Sequence, residues 1–265
     1  MNINCNLIKK LRLKTGSGIM DCKKALLHSS GNLEKAIVYL RKNGILKAEK
    51  KSLNVALHGV ILSKIKNNFG YLIEVNCETD FVAQHEEFIY FAKEVLKQLC
   101  IQNIKDINHL RHVCNNKRID LISKFNENII IRRYYILQGC FITSYIHGFR
   151  IGVLLDTQCS QNSTLMKQIA MHIAASKPDF LHSDDIPISV IKNERQIQLD
   201  IVKQSGKSDL ISKKIVDGKM KKFINNVVLY EQNFIIDPNK KMKDFLLENN
   251  IKILKFIRFE LGEII

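Results

Sequence analysis

Gly59-Val60-Ile61-Leu62-Ser63-Lys64-Ile65, then Asn67-Asn68-Phe69-Gly70, then Tyr71-Leu72-Ile73-Glu74-Val75: this stretch decides the fold. Two β-branched and aromatic runs flank a cluster of turn residues, which is the signature of a β-hairpin. Downstream, Phe88, Phe91, Ala92, Val95, Leu96 and Leu99 recur at helical spacing and mark one apolar helix face. The same unit returns at an offset of 80 residues, where residues 139–145 echo residues 59–65. Ile61 then matches Phe141, Ser63 matches Thr143, Ile73 matches Val153, Val75 matches Leu155, and Ile89 matches Ile169. A duplicated strand–turn–strand–loop–helix unit makes the middle of the chain α+β. Between the copies lie a polar helix near 106–125 and a strand over 129–136.

Outward from this core, the first fifty residues read as three short helices. Leu7, Ile8 and Leu11 form one stripe before the break at Thr15-Gly16-Ser17-Gly18. Met20, Ala25, Leu26 and Leu27 belong to a second helix closed by Gly31. Asn32 is placed to cap a third, which Gly44 is expected to end, with Lys47-Ala48-Glu49-Lys50-Lys51-Ser52 as a charged linker. On the other side, Pro178 and Pro187 bracket an acidic loop with Asp179, Asp184 and Asp185. Helical segments over 188–204 and 207–225, joined at Ser205-Gly206, read as an antiparallel hairpin projecting from the core. The chain returns through Val227-Val228-Leu229, passes Pro238 and finishes with a short helix and an edge strand over 253–261. The expected division is a three-helix module with its linker (1–54), a first core half (55–140), a second (141–178 with 228–265) and an inserted hairpin (179–227).

Composition narrows the function. A chain of 265 residues, 46% of them hydrophobic, can bury a substantial core. It has no run of eighteen apolar residues and no signal-peptide layout at Met1-Asn2-Ile3-Asn4-Cys5, so the expectation is a cytosolic protein with no membrane partner. Seven cysteines (Cys5, Cys22, Cys77, Cys100, Cys114, Cys140, Cys159) are scattered, with no CxxC pair, and read as small apolar fillers. The net charge of +15 invites a nucleic-acid reading. Yet lysine, asparagine and isoleucine abound throughout while arginine is scarce, as codon drift in an AT-rich genome produces, so no specific nucleic-acid partner is expected.

No enzyme site is visible: HExxH, a GxSxG elbow and a complete phosphate loop are all missing from the sequence. Gly16-Ser17-Gly18 reads as a turn, and His109 with His112 lacks a third metal ligand at helical spacing. The informative place is the loop after the second strand. In the second copy it is polar, Thr157-Gln158-Cys159-Ser160-Gln161-Asn162; in the first it is Cys77-Glu78-Thr79-Asp80-Phe81-Val82. Two readings stand side by side. Either Thr79 or Asp80 caps the next helix while Phe81 and Val82 fold into the core, or Phe81 is exposed for a partner.

Leu11-Arg12 followed by Thr15-Gly16-Ser17-Gly18-Ile19-Met20-Asp21-Cys22-Lys23-Lys24-Ala25-Leu26 resembles the opening signature of the elongation factor Ts family. Asn76-Cys77-Glu78-Thr79-Asp80-Phe81-Val82-Ala83 resembles its central signature. His147-Gly148-Phe149-Arg150-Ile151-Gly152-Val153, the stretch Met171-His172-Ile173-Ala174-Ala175-Ser176-Lys177-Pro178 and Phe256-Ile257-Arg258-Phe259-Glu260 fit further family stretches in order. The resemblance covers nearly the whole chain. It implies a non-enzymatic guanine-nucleotide exchange factor for the GTPase elongation factor Tu, with no cofactor and no metal. Thr79, Asp80, Phe81 and Val82 would carry the exchange chemistry, Asp80 and Phe81 wedging beside the nucleotide site and disturbing magnesium. His147 would press from the phosphate side. The N-terminal module, through Leu11, Arg12, Gly16, Met20 and Asp21, would grip another face of the GTPase. The inserted hairpin implies a homodimer or a heterotetramer with elongation factor Tu. Two departures stand out: the family is often acidic, and many members continue past the final strand into a helical tail, whereas this sequence stops at Ile264-Ile265.

Overall fold

A computed structural model describes residues 4–102, 104–158, 162–203 and 209–264. The N-terminal module is α1 (Cys5–Thr15), α2 (Ile19–His28) and α3 (Leu33–Lys51). The Asn4 side chain accepts from the Asn6 N–H at the start of α1, and Gly16, at φ 68°, closes its end on the Arg12 carbonyl. Asn32 caps α3 by accepting from the Lys35 N–H at 3.0 Å. Leu11, Cys22, Ala25, Leu26, Ala36 and Leu40 make a small buried cluster.

Gly44 does not end the third helix, and residues 47–51 are not a linker: α3 continues to Lys51. The reason is close packing. A Cβ at Gly44 would lie 2.6 Å from Ser123 Oγ and 3.0 Å from Ile119 Cγ2, both on the helix over residues 107–125. Glycine costs about 1 kcal/mol in a helix interior, and here the close approach of two helices offsets it.

The core follows as β1 (His58–Lys66), β2 (Phe69–Cys77), α4 (Asp80–Gln84), α5 (Glu86–Gln102), α6 (Ile107–Phe125) and β3 (Ile130–Gln138). The second half is β4 (Phe141–His147), β5 (Ile151–Thr157), α7 (Ser163–Ser176), α8 (Ile188–Lys203), α9 (Asp209–Val227), α10 (Met242–Glu248) and β6 (Ile253–Glu260). Two antiparallel sheets result, ordered β1-β2-β3 and β4-β5-β6. The first hairpin turns in two residues, Asn67 at φ 54° and Asn68, with Lys66 opposite Phe69; Phe69 and Gly70, expected in the turn, already belong to β2.

In each sheet the second hairpin strand is central and covered on both faces, so its polar alternation is lost. Ile73 and Val75 pack under Phe88, Val95 and Leu99 of α5, while Val153 and Leu155 pack under Ile169 and Ile173 of α7. The opposite faces meet, with Ile61 and Leu72 of the first sheet in one cluster with Leu154 and Phe259 of the second. Gly152 sets that approach, since a Cβ there would come within 2.5 Å of Ile61 and 2.7 Å of Leu72. Glu74, wholly buried on β2, ties the halves together. Its carboxylate accepts from Arg132 at 3.1 Å, Arg133 at 2.6 Å and the Gly262 N–H at 3.0 Å.

α8 and α9 form the inserted hairpin, with Val202, Val216 and Met220 buried between them and Arg195 paired to Asp217 at 2.9 Å. The expected turn at Ser205-Gly206 lies outside the described residues. The proline-bracketed segment is more than an acidic loop. Phe180 bridges Val228 in parallel, so the hairpin's two feet are hydrogen-bonded to each other. The cysteine expectation needs correction at two positions. Cys22, Cys77, Cys100 and Cys114 are buried, but Cys5 and Cys140 are exposed and fill nothing. Cys159 lies outside the described residues.

Candidate functional site

The loop after β2 is fixed by an exchange of polar groups with the turn before β3. The Glu127 carboxylate accepts from the Glu78 and Thr79 N–H groups, both at 3.1 Å, and from the Thr79 hydroxyl at 2.6 Å. In return, the Glu78 carboxylate accepts from the Asn128 N–H at 2.6 Å and from the Asn54 amide at 2.9 Å. Burial works to raise the Glu78 carboxyl, but those two hydrogen bonds and the charge of Lys51 outweigh it and hold its pKa below the ordinary value. Beneath the loop, the Cys77 thiol donates to the Thr79 carbonyl at 3.1 Å. Burial, with Glu127 adding to it, pushes that thiol up to about 12, which keeps it protonated.

Thr79 is the N-cap of α4, its hydroxyl accepting from the Val82 N–H at 3.5 Å. The capping reading of this loop holds for Thr79 and Val82 but not for Phe81. Val82 and Ala83 fold into the first core cluster, so Val82 anchors the loop from inside. Asp80 and Phe81 face outward, and the Phe81 ring is 84% exposed. A rigid base thus carries an acid and an unpartnered aromatic side by side.

His147 ends β4 and is exposed, so it is not a packed histidine; its Nδ1 lies 3.1 Å from the Tyr145 hydroxyl. The turn after it holds Gly148 and Phe149 both at positive φ, 54° and 58°. Phe149 is an uncommon residue there, and its carbonyl is pinned by the Ile61 N–H at 2.7 Å. This turn and α4 form opposite sides of one groove of about 400 Å³, with Asp80, Ala83 and Gln84 facing Gly148, Phe149 and Arg150. The duplicated halves therefore bring the two family stretches, far apart in sequence, to one surface.

The five N-terminal residues divide. Arg12 is exposed and Met20 is 62% exposed, both available to a partner. Leu11 is wholly buried, Gly16 caps α1, and Asp21 pairs with Lys47 at 2.6 Å, so these three build the module. Leu13 and Ile19 are exposed beside them and were not singled out by the sequence: Ile19 shares helical spacing with the buried Cys22 and Leu26, and Leu13 lies off the Leu7-Ile8-Leu11 stripe. Glu127 was missed for a different reason. It sits in the polar turn Asn126-Glu127-Asn128, which has no local feature pointing to Thr79 nearly fifty residues away.

Comparison with known proteins gives one result. The family model described as elongation factor TS matches residues 78–263. The elongation factor Ts of Buchnera aphidicola subsp. Acyrthosiphon pisum (strain APS) is 48% identical over 100% of this chain and 98% of its own length. That of Klebsiella pneumoniae (strain 342) is 47% identical over 98% of this chain and 92% of its own. With a solvent-facing Asp80-Phe81 pair, a fixed turn beyond His147, and full-length similarity to these translation elongation factors, the chain belongs to the elongation factor Ts family.

Proposed function

We propose that the protein promotes release of GDP from the GTPase elongation factor Tu by binding its nucleotide-free form more tightly than its GDP form. The reading implies work in the cytoplasm, with no covalent chemistry. Exchange of this kind is a coupling free energy and is reciprocal: GDP weakens the factor as the factor weakens GDP. The observation that carries the proposal is the exposed Phe81 on a loop whose backbone is held by Glu127 and whose neighbour Val82 is buried. Ordering is already complete before the partner arrives, so little of the binding energy goes into shaping the loop.

Burial of the Phe81 ring in a cleft that opens between partner helices supplies roughly 2–3 kcal/mol, available only in the opened state. Asp80 brings a negative charge toward the magnesium shell and disfavours the ordered metal–phosphate arrangement. His147, exposed at the end of β4 next to the turn that lines the groove, displaces phosphate-binding backbone. Arg12 and Met20 hold a second face of the GTPase, and the α8–α9 hairpin is left for self-association or a two-plus-two assembly. The test mixes the protein with elongation factor Tu carrying fluorescent GDP. Release accelerated at substoichiometric amounts supports the proposal; a rate equal to spontaneous release overturns it.

A further inference from the structure

We propose that the cleft between α6 and the free edge of β3 is an anion site for a ligand presenting two phosphate groups, gripped by Arg111 and Arg118. Among the described residues β3 has a strand neighbour on one side only. Along its other side the Arg111 guanidinium donates to the carbonyls of Ile131 at 2.9 Å and Arg132 at 3.3 Å. Arg118 donates to the Ile129 carbonyl at 3.1 Å and to Asn115 Oδ1 at 3.1 and 3.2 Å. A guanidinium has five N–H donors. Both forks are thus held rigidly with donors to spare, which suits planar recognition of oxyanions.

What is missing is a counter-charge. Among the described residues neither arginine makes an ion pair, and no aspartate or glutamate lines the cleft. Its walls carry His112, Asn115, Asn128 and Ser52 above a floor of Ile130 and Ile131, enclosing about 480 Å³. Burial, then the charge of Arg111, lowers the Arg118 pKa, which is what two like charges held together without compensation produce. Nor is this the lysine drift seen elsewhere, since only nine of the 41 basic residues are arginines and two of them sit here.

The spacing sets the ligand. Arg118 is anchored to the Ile129 carbonyl, just before β3, and Arg111 to those of Ile131 and Arg132, so the anchors lie two to three residues apart, about 7–10 Å along an extended chain, which is wider than one phosphate. A nucleoside diphosphate or consecutive phosphates of single-stranded RNA share that chemistry.

The experiment titrates the full chain at about 50 mM salt with inorganic phosphate, ADP and hexauridylate, following binding by calorimetry. Saturable one-to-one binding of ADP or hexauridylate, at least tenfold tighter than phosphate, is expected, and the tighter of the two identifies the source. Arg118→Gln should weaken it at least tenfold. Because Arg118 also braces β3, the decisive variant is Asn115→Asp, which keeps the Arg118 hydrogen bonds and places a carboxylate in the cleft. It should abolish binding in a protein that still melts cooperatively. Lys117→Gln, on the same helix but paired to Glu94, should change nothing. No saturation up to about 10 mM ligand, binding retained in Asn115→Asp, or equal loss in Lys117→Gln would each overturn the site.

Discussion

The two core halves each contain a polar clasp, and the clasps differ in chemistry and in what they hold. In the first half, the half-buried Glu78 and Glu127 carboxylates trade hydrogen bonds with the backbone N–H groups of Thr79, Glu78 and the buried Asn128. In the second, His172 is wholly buried; its Nε2 lies 3.0 Å from Gln232 Oε1, and its Nδ1 accepts from the Ile235 N–H at 3.2 Å. Gln232 in turn donates to the carbonyls of Ser176 and Asn226, at the foot of the hairpin. One clasp presents an exposed aromatic; the other roots an inserted pair of helices. Two equivalent scaffolds thus carry different attachments, each fixed by its own clasp.

The strongest way to break this comparison is Phe81→Ala. If the first scaffold closes without the ring, GDP release should slow at least tenfold, as loss of a wedge of roughly 2 kcal/mol in the transition state requires. Thermal unfolding should shift by no more than about 0.5 kcal/mol, as for an exposed side chain. A large drop in melting temperature, with exchange kept in the folded fraction, would mean the ring is structural. Asp80→Ala should add a smaller loss, not additive with the first.

Glu127→Ala sharpens the role of the first clasp. It strands the Glu78 and Thr79 N–H groups and should cost about 1–3 kcal/mol of stability. With the loop loosened, release at saturating factor should fall about three- to fivefold. Glu127→Gln keeps an acceptor and should recover most of both. Unchanged kinetics in a measurably destabilised Glu127→Ala protein would detach the clasp from exchange.

For the second clasp the readout is pH. Burial lowers the His172 pKa, against the opposing hydrogen bond with Gln232. A histidine with a folded pKa below its unfolded value contributes stability that is fully present above about 6.5 and is lost as pH falls. Protonation would also put a hydrogen on Nδ1, facing the Ile235 N–H. Melting temperature should therefore drop between pH 7 and pH 5, and His172→Gln, though less stable at pH 7, should flatten that dependence. An equal slope in both proteins would assign the acid sensitivity elsewhere.

The smallest effect is expected from replacing residues 179–227 with a short Gly/Ser linker. If the hairpin is a separate module, release at saturating factor should stay within about twofold. Loss of release from a folded core would make the hairpin part of the exchange machinery.

Period and turn chemistry made much of this legible in the sequence. The hairpins, the α5 face and the helical insertion follow from runs such as Tyr71-Leu72-Ile73 and from Asn67-Asn68. Gly44 was misread because a glycine after a helical run usually ends it, and the α6 residues that require it lie about seventy-five positions away. The loop sequence located the candidate site but could not tell which of Phe81 and Val82 faces outward, since that depends on how α4 meets the core. The repeat comparison also stops there: Gln161, which matches Phe81, lies outside the described residues. Phe149 carried no sign of its left-handed backbone beyond the glycine before it.

The Gly262 hydrogen bond to Glu74 has a consequence for how the chain is made. The two partners lie 188 residues apart, and β6, which completes the second sheet, is synthesised just before Gly262. At about 5–20 residues per second, a nascent chain waits roughly 10–40 s between placing Glu74 and meeting that amide. Arg132 and Arg133 arrive much sooner and can neutralise the carboxylate while it waits. The first sheet can therefore mature during translation, whereas the face carrying Ile61 and Leu72 stays uncovered until β5 and then β6 emerge. That interval of exposed apolar surface is when a chaperone would have its hold on the growing polypeptide.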